Sequence, residues 1–295
     1  MMFHRKRFDV HASEIAEYLN KSLIGEDFLI KSLHSIKTPE ILKRARRKKQ
    51  KEEGDILLIS DKKLQGVNYT GFIMSTNPEL DLAYILHEFF TSVPINQVHP
   101  NALVSEKAGI GRNVLIGAYS IVGPDVYVGD NSKIFNNVVI NGPVTIGKFC
   151  IIKDGAVIGS EGWNFIKNED GIPFHTPQLG QILIEDNVWI GTNSTVERAM
   201  IEDTVLCKDV KVDDLVHIGA ASIIGQRSEV TAGSIISSNV LIGKDVRIAP
   251  NSVIRENISI GNNVIIGQGT VVIEDLPAKQ TYVGNPARPL RKNKA

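Results

Sequence analysis

Residues 98–158 fall into sixes: VHPNAL, VSEKAG, IGRNVL, IGAYSI, VGPDVY, VGDNSK, IFNNVV, INGPVT, IGKFCI, IKDGAV, I. Every block opens on valine or isoleucine, from Val98, Val104 and Ile110 to Ile158, eleven times without a miss. The same beat returns from Leu206 through Val212, Ile218, Ile224, Val230 and Ile236 to Val272, and Ile184, Ile190 and Val196 carry it across the middle. A period of six is neither the helical 3.6 nor the strand alternation of two. It predicts a parallel β-helix with triangular coils, one hexad to a face and about eighteen residues to a coil. The twenty-six hexads then make about nine coils.

Each hexad aliphatic is expected to point inward and to stack on its counterpart a coil later, at about 4.8 Å. The residue four positions on is small or β-branched, as in Ala102, Ala108, Ser120, Ser132, Cys150, Ser222, Ser234, Ser252 and Thr270, so it should share the narrow interior. The glycines of Ile116-Gly117, Ile146-Gly147, Ile242-Gly243 and Ile260-Gly261 are expected to supply corner conformations. Two segments break the beat. Gly159–Leu183 is too long for a corner and carries Trp163, Phe165, Phe174 and His175, so it is expected to shape a binding site. Glu202–Val205 adds a short bulge.

The first ninety-odd residues lack hexads. Ser13–Leu19 reads as a short capped helix, and Phe28–Ile30, Asp55–Ser60 and Thr70–Ser75 read as strands. Asn77-Pro78 then opens a helix with Leu82, Ile85, Leu86 and Phe89 on one face. The fold class is mainly β. A small α/β domain (1–95), with nucleotide binding as one possible role, precedes a β-helix (96–276) with its loop (159–183) and a tail (277–295).

Lysine plus arginine equals aspartate plus glutamate, 33 each, which argues against nucleic-acid binding driven by bulk charge. The basic run Lys43–Lys51 is expected to be a solvated face. Cys150 and Cys207 suggest reduced thiols and a cytoplasmic location, and Cys150 falls at an interior position. No apolar stretch follows the basic N-terminus, so neither a signal peptide nor a membrane span is expected. The histidines are too scattered in the register for a metal site.

The order of these parts carries a resemblance. It runs from a small α/β domain to hexads, to Gly159-Ser160-Glu161-Gly162-Trp163-Asn164, to Pro177-Gln178-Leu179-Gly180, to Val196-Glu197-Arg198-Ala199 and to Asp213-Asp214-Leu215-Val216-His217-Ile218. It resembles the UDP-3-O-acylglucosamine N-acyltransferases of lipid A synthesis. It is still more similar to their relatives that N-acetylate nucleotide-linked amino sugars for surface glycans such as lipopolysaccharide O-antigen. The resemblance implies a left-handed β-helix, a homotrimer and sites in the grooves between subunits. It also implies that Trp163, Asn164, His175, Glu197, Asp213 and Asp214 contact a UDP- or dTDP-linked amino sugar. The ending Tyr282-Val283-Gly284-Asn285-Pro286-Ala287-Arg288 is similar to that of coenzyme A-using acetyltransferases. Gly284, Asn285, Arg288 and Ser238 are thereby expected beside acetyl-CoA, with Arg288 toward a phosphate. The helical extension associated with acyl carrier protein is not matched after Arg288. An acyl-carrier-protein donor and a non-catalytic sugar-nucleotide binder remain the alternatives.

The chain departs from the pattern where the resemblance marks the general base. The expected histidine is Ala220, followed by Ala221. An engineered replacement that traps a substrate complex, a different base such as His217 or a carboxylate (or loss of the amine proton to water), and a protein that binds without catalysing all fit this. Position 238 lies one coil above 220, so a backbone N–H at Ser238 is expected to face the thioester oxyanion. A second departure is Gly54-Asp55-Ile56-Leu57-Leu58, where the family carries an aromatic residue that stacks on uracil.

Overall fold

The computed structural model describes residues 9–30, 32–36, 56–61, 70–90 and 97–290. The basic run 43–51 lies outside them. The chain divides into two compact units, Met1–Pro94 and Ile95–Ala295.

The first unit holds a four-stranded sheet and two short helices. In the sheet, β1 (Leu23–Gly25) runs antiparallel to β4 (Gly71–Met74), while β2 (Ser32–Ile36), β3 (Ile56–Ser60) and β4 run parallel, in the order β1-β4-β3-β2. Leu57, Ile59 and Ile73 meet Ile15 of α1 (Ala12–Tyr18) and Ile85 of α2 (Pro78–Ile85) in one buried cluster. Several details differ from the sequence reading. The strand expected at Phe28–Ile30 is a single bridge between His11 and Leu29, and the regular strand is β1. The helix expected from Ser13 starts one residue earlier, with His11 at its cap; the Ser13 amide instead donates to Asp27 Oδ1 at 2.8 Å. The second helix opens at Asn77-Pro78 as expected and widens at Leu86–Phe90, which leaves Leu86 exposed while Ile85 and Phe89 stay buried.

The second unit is a parallel β-helix of mostly two- and three-residue strands in three sheets of eight, nine and eleven strands. Partners sit eighteen residues apart, as in Ile116↔Ile134 and Ile134↔Ile152. The hexad aliphatics form one continuous core from Val114 to Tyr282, and most are fully buried. Each such side chain contributes roughly 1.5–3 kcal/mol relative to exposure. The mainly-β solenoid preceded by a small α/β unit is thus as expected. The small residues four positions on do more than fit the interior. Ser120, Ser132, Ser222 and Ser228 donate to the carbonyls of Phe135, Gly147, Ser237 and Gly243, and so tie each coil to the next.

The corner glycines have a different role from the expected one. Gly117, Gly147, Gly243 and Gly261 do not carry the left-handed backbone; a Cβ at Gly117 would stand 2.7 Å from the Phe135 carbonyl carbon of the next coil. Glycine is needed there for close approach. The left-handed corners belong two residues later, mostly to asparagine such as Asn131, Asn137, Asn193, Asn239 and Asn257, whose short amides tolerate that conformation. Ala221 occupies the same conformation at φ 58°. The segment read as a tail adds Thr281–Val283 and Arg288–Pro289 to the longest sheet and buries Tyr282 and Ala287 beyond Leu276 at the end of the core.

Candidate functional site

The two interruptions of the hexad beat lie against each other. Gly159–Leu183 opens by extending strand Val157–Glu161 and then forms an antiparallel hairpin, Phe165–Lys167 with Pro173–His175. Its return, Leu179-Gly180, donates to the carbonyls of Met200 and Ala199, just before the bulge at 202–205. Arg198 anchors this arrangement. Its guanidinium donates to the carbonyls of Gly159 (2.8 Å) and Gln178 (2.9 Å) and reaches Glu161 at 3.3 Å. Glu161 also faces His175 Nε2 at 3.1 Å.

The bulge lengthens one coil by four residues, so Thr195 pairs with His217 and Val196 with Ile218, at a spacing of 22 rather than 18. Three side chains thereby come together. Thr195 Oγ1 lies 2.8 Å from His217 Nδ1, and His217 Nε2 lies 3.7 Å from Glu197 Oε2. The His217 side chain is 38% exposed and that of Glu197 only 18%. Burial pushes the Glu197 carboxyl above its ordinary pKa, opposed by the nearby His217 and by the Ala220 amide, which donates to it. Ala220 is 9% exposed. Gly162 of the loop lies over both: a Cβ there would sit 3.1 Å from Glu197 Oε2 and 3.2 Å from the Ala220 methyl. Thr204 Oγ1 donates to the Glu197 carbonyl and accepts from the Ala221 amide, which fixes the floor.

The other residues singled out in the sequence are placed as follows. Ser238 stands one coil above Ala220, between Ser237 and Asn239, whose amides join the ladder to Ile254 and Ala220. Trp163 is 89% exposed and packs on Phe165 at 4.8 Å between ring centres, and Phe165 in turn contacts His175 at 5.3 Å. Asn164 donates to Met200 Sδ. Asp214 accepts from Lys153 at 2.6 Å and from the Thr192 amide at 2.7 Å, while Asp213 accepts from the Asp214 and Ala232 amides, so both carboxylates serve corners. Gly284, Asn285 and Arg288 sit in the terminal hairpin, with Arg288 paired to Glu274 at 3.2 Å. Leu57 and Leu58 are buried, and Gly54 and Asp55 lie outside the described residues. Cys150 is interior as expected, and burial pushes its thiol up to about 11. Among the described residues no His, Cys, Asp and Glu cluster could hold a metal ion, and no helix is long and apolar enough to cross a membrane.

Thr195 and Thr204 were not singled out from sequence, and Gly162 entered only as part of the loop motif, with no role of its own. The four-residue bulge shifts the coil register, so counting by eighteens sets 199 rather than 195 under His217. Reading the bulge as an insertion in the coil would have recovered the pair.

Residues 107–140, 125–160 and 239–274 match the family described as bacterial transferase hexapeptide (six repeats). The UDP-3-O-acylglucosamine N-acyltransferase of Coxiella burnetii (strain RSA 493 / Nine Mile phase I) is 30% identical over 192 residues, covering 59% of this chain and 56% of that protein. The protein of that name from Pseudomonas syringae pv. tomato is 30% identical over 185 residues, covering 56% and 52%. The chain spans about half the length of the curated relatives it matches. Among solved structures, UDP-N-acetylglucosamine O-acyltransferase from Moraxella catarrhalis superposes with a TM-score of 0.59 at 23% identity, covering 66% of this chain and 74% of that one. The UDP-N-acetylglucosamine acyltransferase of Francisella novicida gives 0.59 at 22%, covering 67% and 71%. At these identities the two structures speak for the fold alone. The chain is therefore a hexapeptide-repeat β-helix protein that resembles the UDP-3-O-acylglucosamine N-acyltransferases.

Proposed function

We propose that this protein is an N-acyltransferase that moves acetyl from acetyl-CoA to the amine of a UDP- or dTDP-linked amino sugar for surface glycans. The observation that carries the reading is the placement of His217 beside Glu197, under a loop rooted in the solenoid wall, in a chain similar to N-acyltransferases of a sugar nucleotide. Attack on a thioester needs an unprotonated amine, and an imidazole suits the removal of its proton. In this reading the amine lone pair attacks the thioester carbonyl carbon, and His217 accepts the proton. The Ser238 amide faces the oxyanion, and the C–S bond breaks to release the CoA thiolate. The exposed Trp163 and Phe165 rings offer an apolar surface for the sugar nucleotide, and Arg288 would exchange Glu274 for a cofactor phosphate.

The oligomer belongs to the same proposal. The outward column holding His217 includes Leu103, Ile121, Ile235 and Val253, and a second face presents Tyr127, Val205, Ile223 and Leu241. Two apolar faces on one prism support packing against further copies, as in a homotrimer.

The test is release of free thiol from acetyl-CoA against a panel of UDP- and dTDP-linked amino sugars. The intact chain, His217→Ala and Ala220→His are run side by side. The expected result is amino-sugar-dependent release that falls by about 10²–10⁴ in His217→Ala, the range for a positioned general base. A comparable gain in Ala220→His would return the base to position 220. Silence on every sugar would overturn the acetyl-CoA donor; the same panel with a long-chain hydroxyacyl thioester of acyl carrier protein then reads the alternative donor.

A further inference from the structure

His217 and Glu197 stand too far apart to satisfy each other. At 3.7 Å, Nε2 and Oε2 exceed hydrogen-bond length, yet one nitrogen atom can lie within about 3 Å of both. The other ring nitrogen is already engaged by Thr195 Oγ1 at 2.8 Å. If Nδ1 carries the proton and donates it to that hydroxyl, Nε2 presents its lone pair to the gap. The Glu197 carboxylate also accepts from the Ala220 amide, and its Oε2 is the oxygen nearest His217. Gly162 and the Ala220 methyl lie beside Oε2, so close that a Cβ at Gly162 would stand 3.1 Å from Oε2 and 3.2 Å from the Ala220 methyl. On the next coil the neighbouring outward residue is Ile235, which carries no charge, and Arg198 is turned away toward Gly159, Gln178 and Glu161.

We propose that His217 Nε2 and Glu197 Oε2 form a two-acceptor clamp that selects a primary amine over a hydroxyl as the acyl acceptor, with Thr195 as the residue that positions the imidazole. This rests on the acyltransfer reading above. A primary amine has two N–H bonds and fills both acceptors, whereas a hydroxyl has one and leaves the partly buried carboxylate facing an oxygen lone pair. The amine arrives as an ammonium, which Glu197 attracts, and gives one proton to water. Its lone pair then forms the C–N bond to the thioester carbonyl. The extra proton on nitrogen passes to Nε2, the C–S bond breaks, and the imidazolium returns the proton to the thiolate. Glu197 keeps the second N–H throughout. The proposal also accounts for a small residue at 220, since a larger side chain there would press on Gly162 and close the space beside Oε2.

The test has a binding arm and a spectroscopic arm, and neither needs turnover. Calorimetry on the full chain without CoA compares an amino sugar nucleotide with its hydroxyl counterpart. The intact protein is expected to favour the amine by tenfold or more, and Glu197→Gln to lose that preference while holding the hydroxyl compound as before. Nitrogen-15 spectra of labelled histidine in the free protein are expected to show neutral His217 protonated at Nδ1, and Thr195→Val to give a tautomer mixture. Equal weakening of both ligands in Glu197→Gln, or a proton on Nε2 in the intact protein, would overturn the clamp. If the clamp results hold and no thiol is released with any donor, the transfer reading fails and the amine site stands.

Discussion

Replacing Arg198 by alanine should release the loop without unfolding the solenoid, and the size of the effect can be worked from its contacts. The Arg198 side chain is 16% exposed, and its guanidinium gives two short bonds to backbone carbonyls, at 2.8 Å to Gly159 and 2.9 Å to Gln178. A hydrogen bond from a charged donor contributes about 1.5–3 kcal/mol, and the two together come to about 3 kcal/mol at the low end. The 3.3 Å contact with Glu161 adds little, because that carboxylate is 39% exposed and screened by water. The coil ladder around Arg198, including the parallel pairing of Val157–Glu161 with Thr195–Arg198, does not depend on the guanidinium. The cost should therefore fall on local opening of the loop. At 1.4 kcal/mol per tenfold, about 3 kcal/mol speeds exchange roughly 100-fold. Hydrogen–deuterium exchange reads this directly at the amides of Thr176, Leu179 and Gly180, which are bonded to Asn164, Met200 and Ala199. Amides of the distant coils, such as Val253 and Ile265, should exchange as before. Unchanged loop exchange in Arg198→Ala would refute the anchoring argument, and uniform acceleration through the solenoid would refute its locality.

Three further outcomes follow from the same geometry. Ala221→Asn should stabilise the protein by about 0.5–1 kcal/mol, because asparagine tolerates the left-handed corner and can extend the side-chain ladder from Asn239 to Asn257; an unchanged or lower melting temperature would count against this. Ile236→Ala, at a fully buried hexad position, should cost about 2–5 kcal/mol by urea unfolding, and a loss under 1 would mean that the core collapses around the gap. The Cys150 thiol is raised from 9.0 to about 11 mainly by burial, so its contribution is fully present below pH 9 and is lost as pH rises through about 11. Relative to Cys150→Ala, the intact protein should therefore lose up to about 2–3 kcal/mol between pH 8 and pH 11, and parallel pH profiles for the two would contradict it.

The sequence by itself determined the solenoid. Valine or isoleucine at every sixth position leaves a three-faced coil as the arrangement that buries them all, and strand pairs such as Ile134↔Ile152 follow from that arithmetic. The interior place of Cys150 and the opening of the helix at Asn77-Pro78 were legible for the same local reasons. The role of the corner glycines was not, because close approach is set by the neighbouring coil and not by the local pair Ile116-Gly117. Nor was the bridge at Leu29, where three apolar residues read as a strand but pair only with His11. The candidate site was half legible. His217, Glu197 and the loop stood out as chemistry, while Thr195 and Gly162 did not, since a hydroxyl among β-branched residues and a glycine in a loop carry no periodic signal. Only the tertiary structure decided that the Thr195 hydroxyl reaches His217 Nδ1, that Asp213 and Asp214 serve the corners, and that Gly162 closes over Glu197 and Ala220. Periodicity fixes what every coil shares; a site depends on where the period is broken, and the outcome of a break is settled by packing across coils.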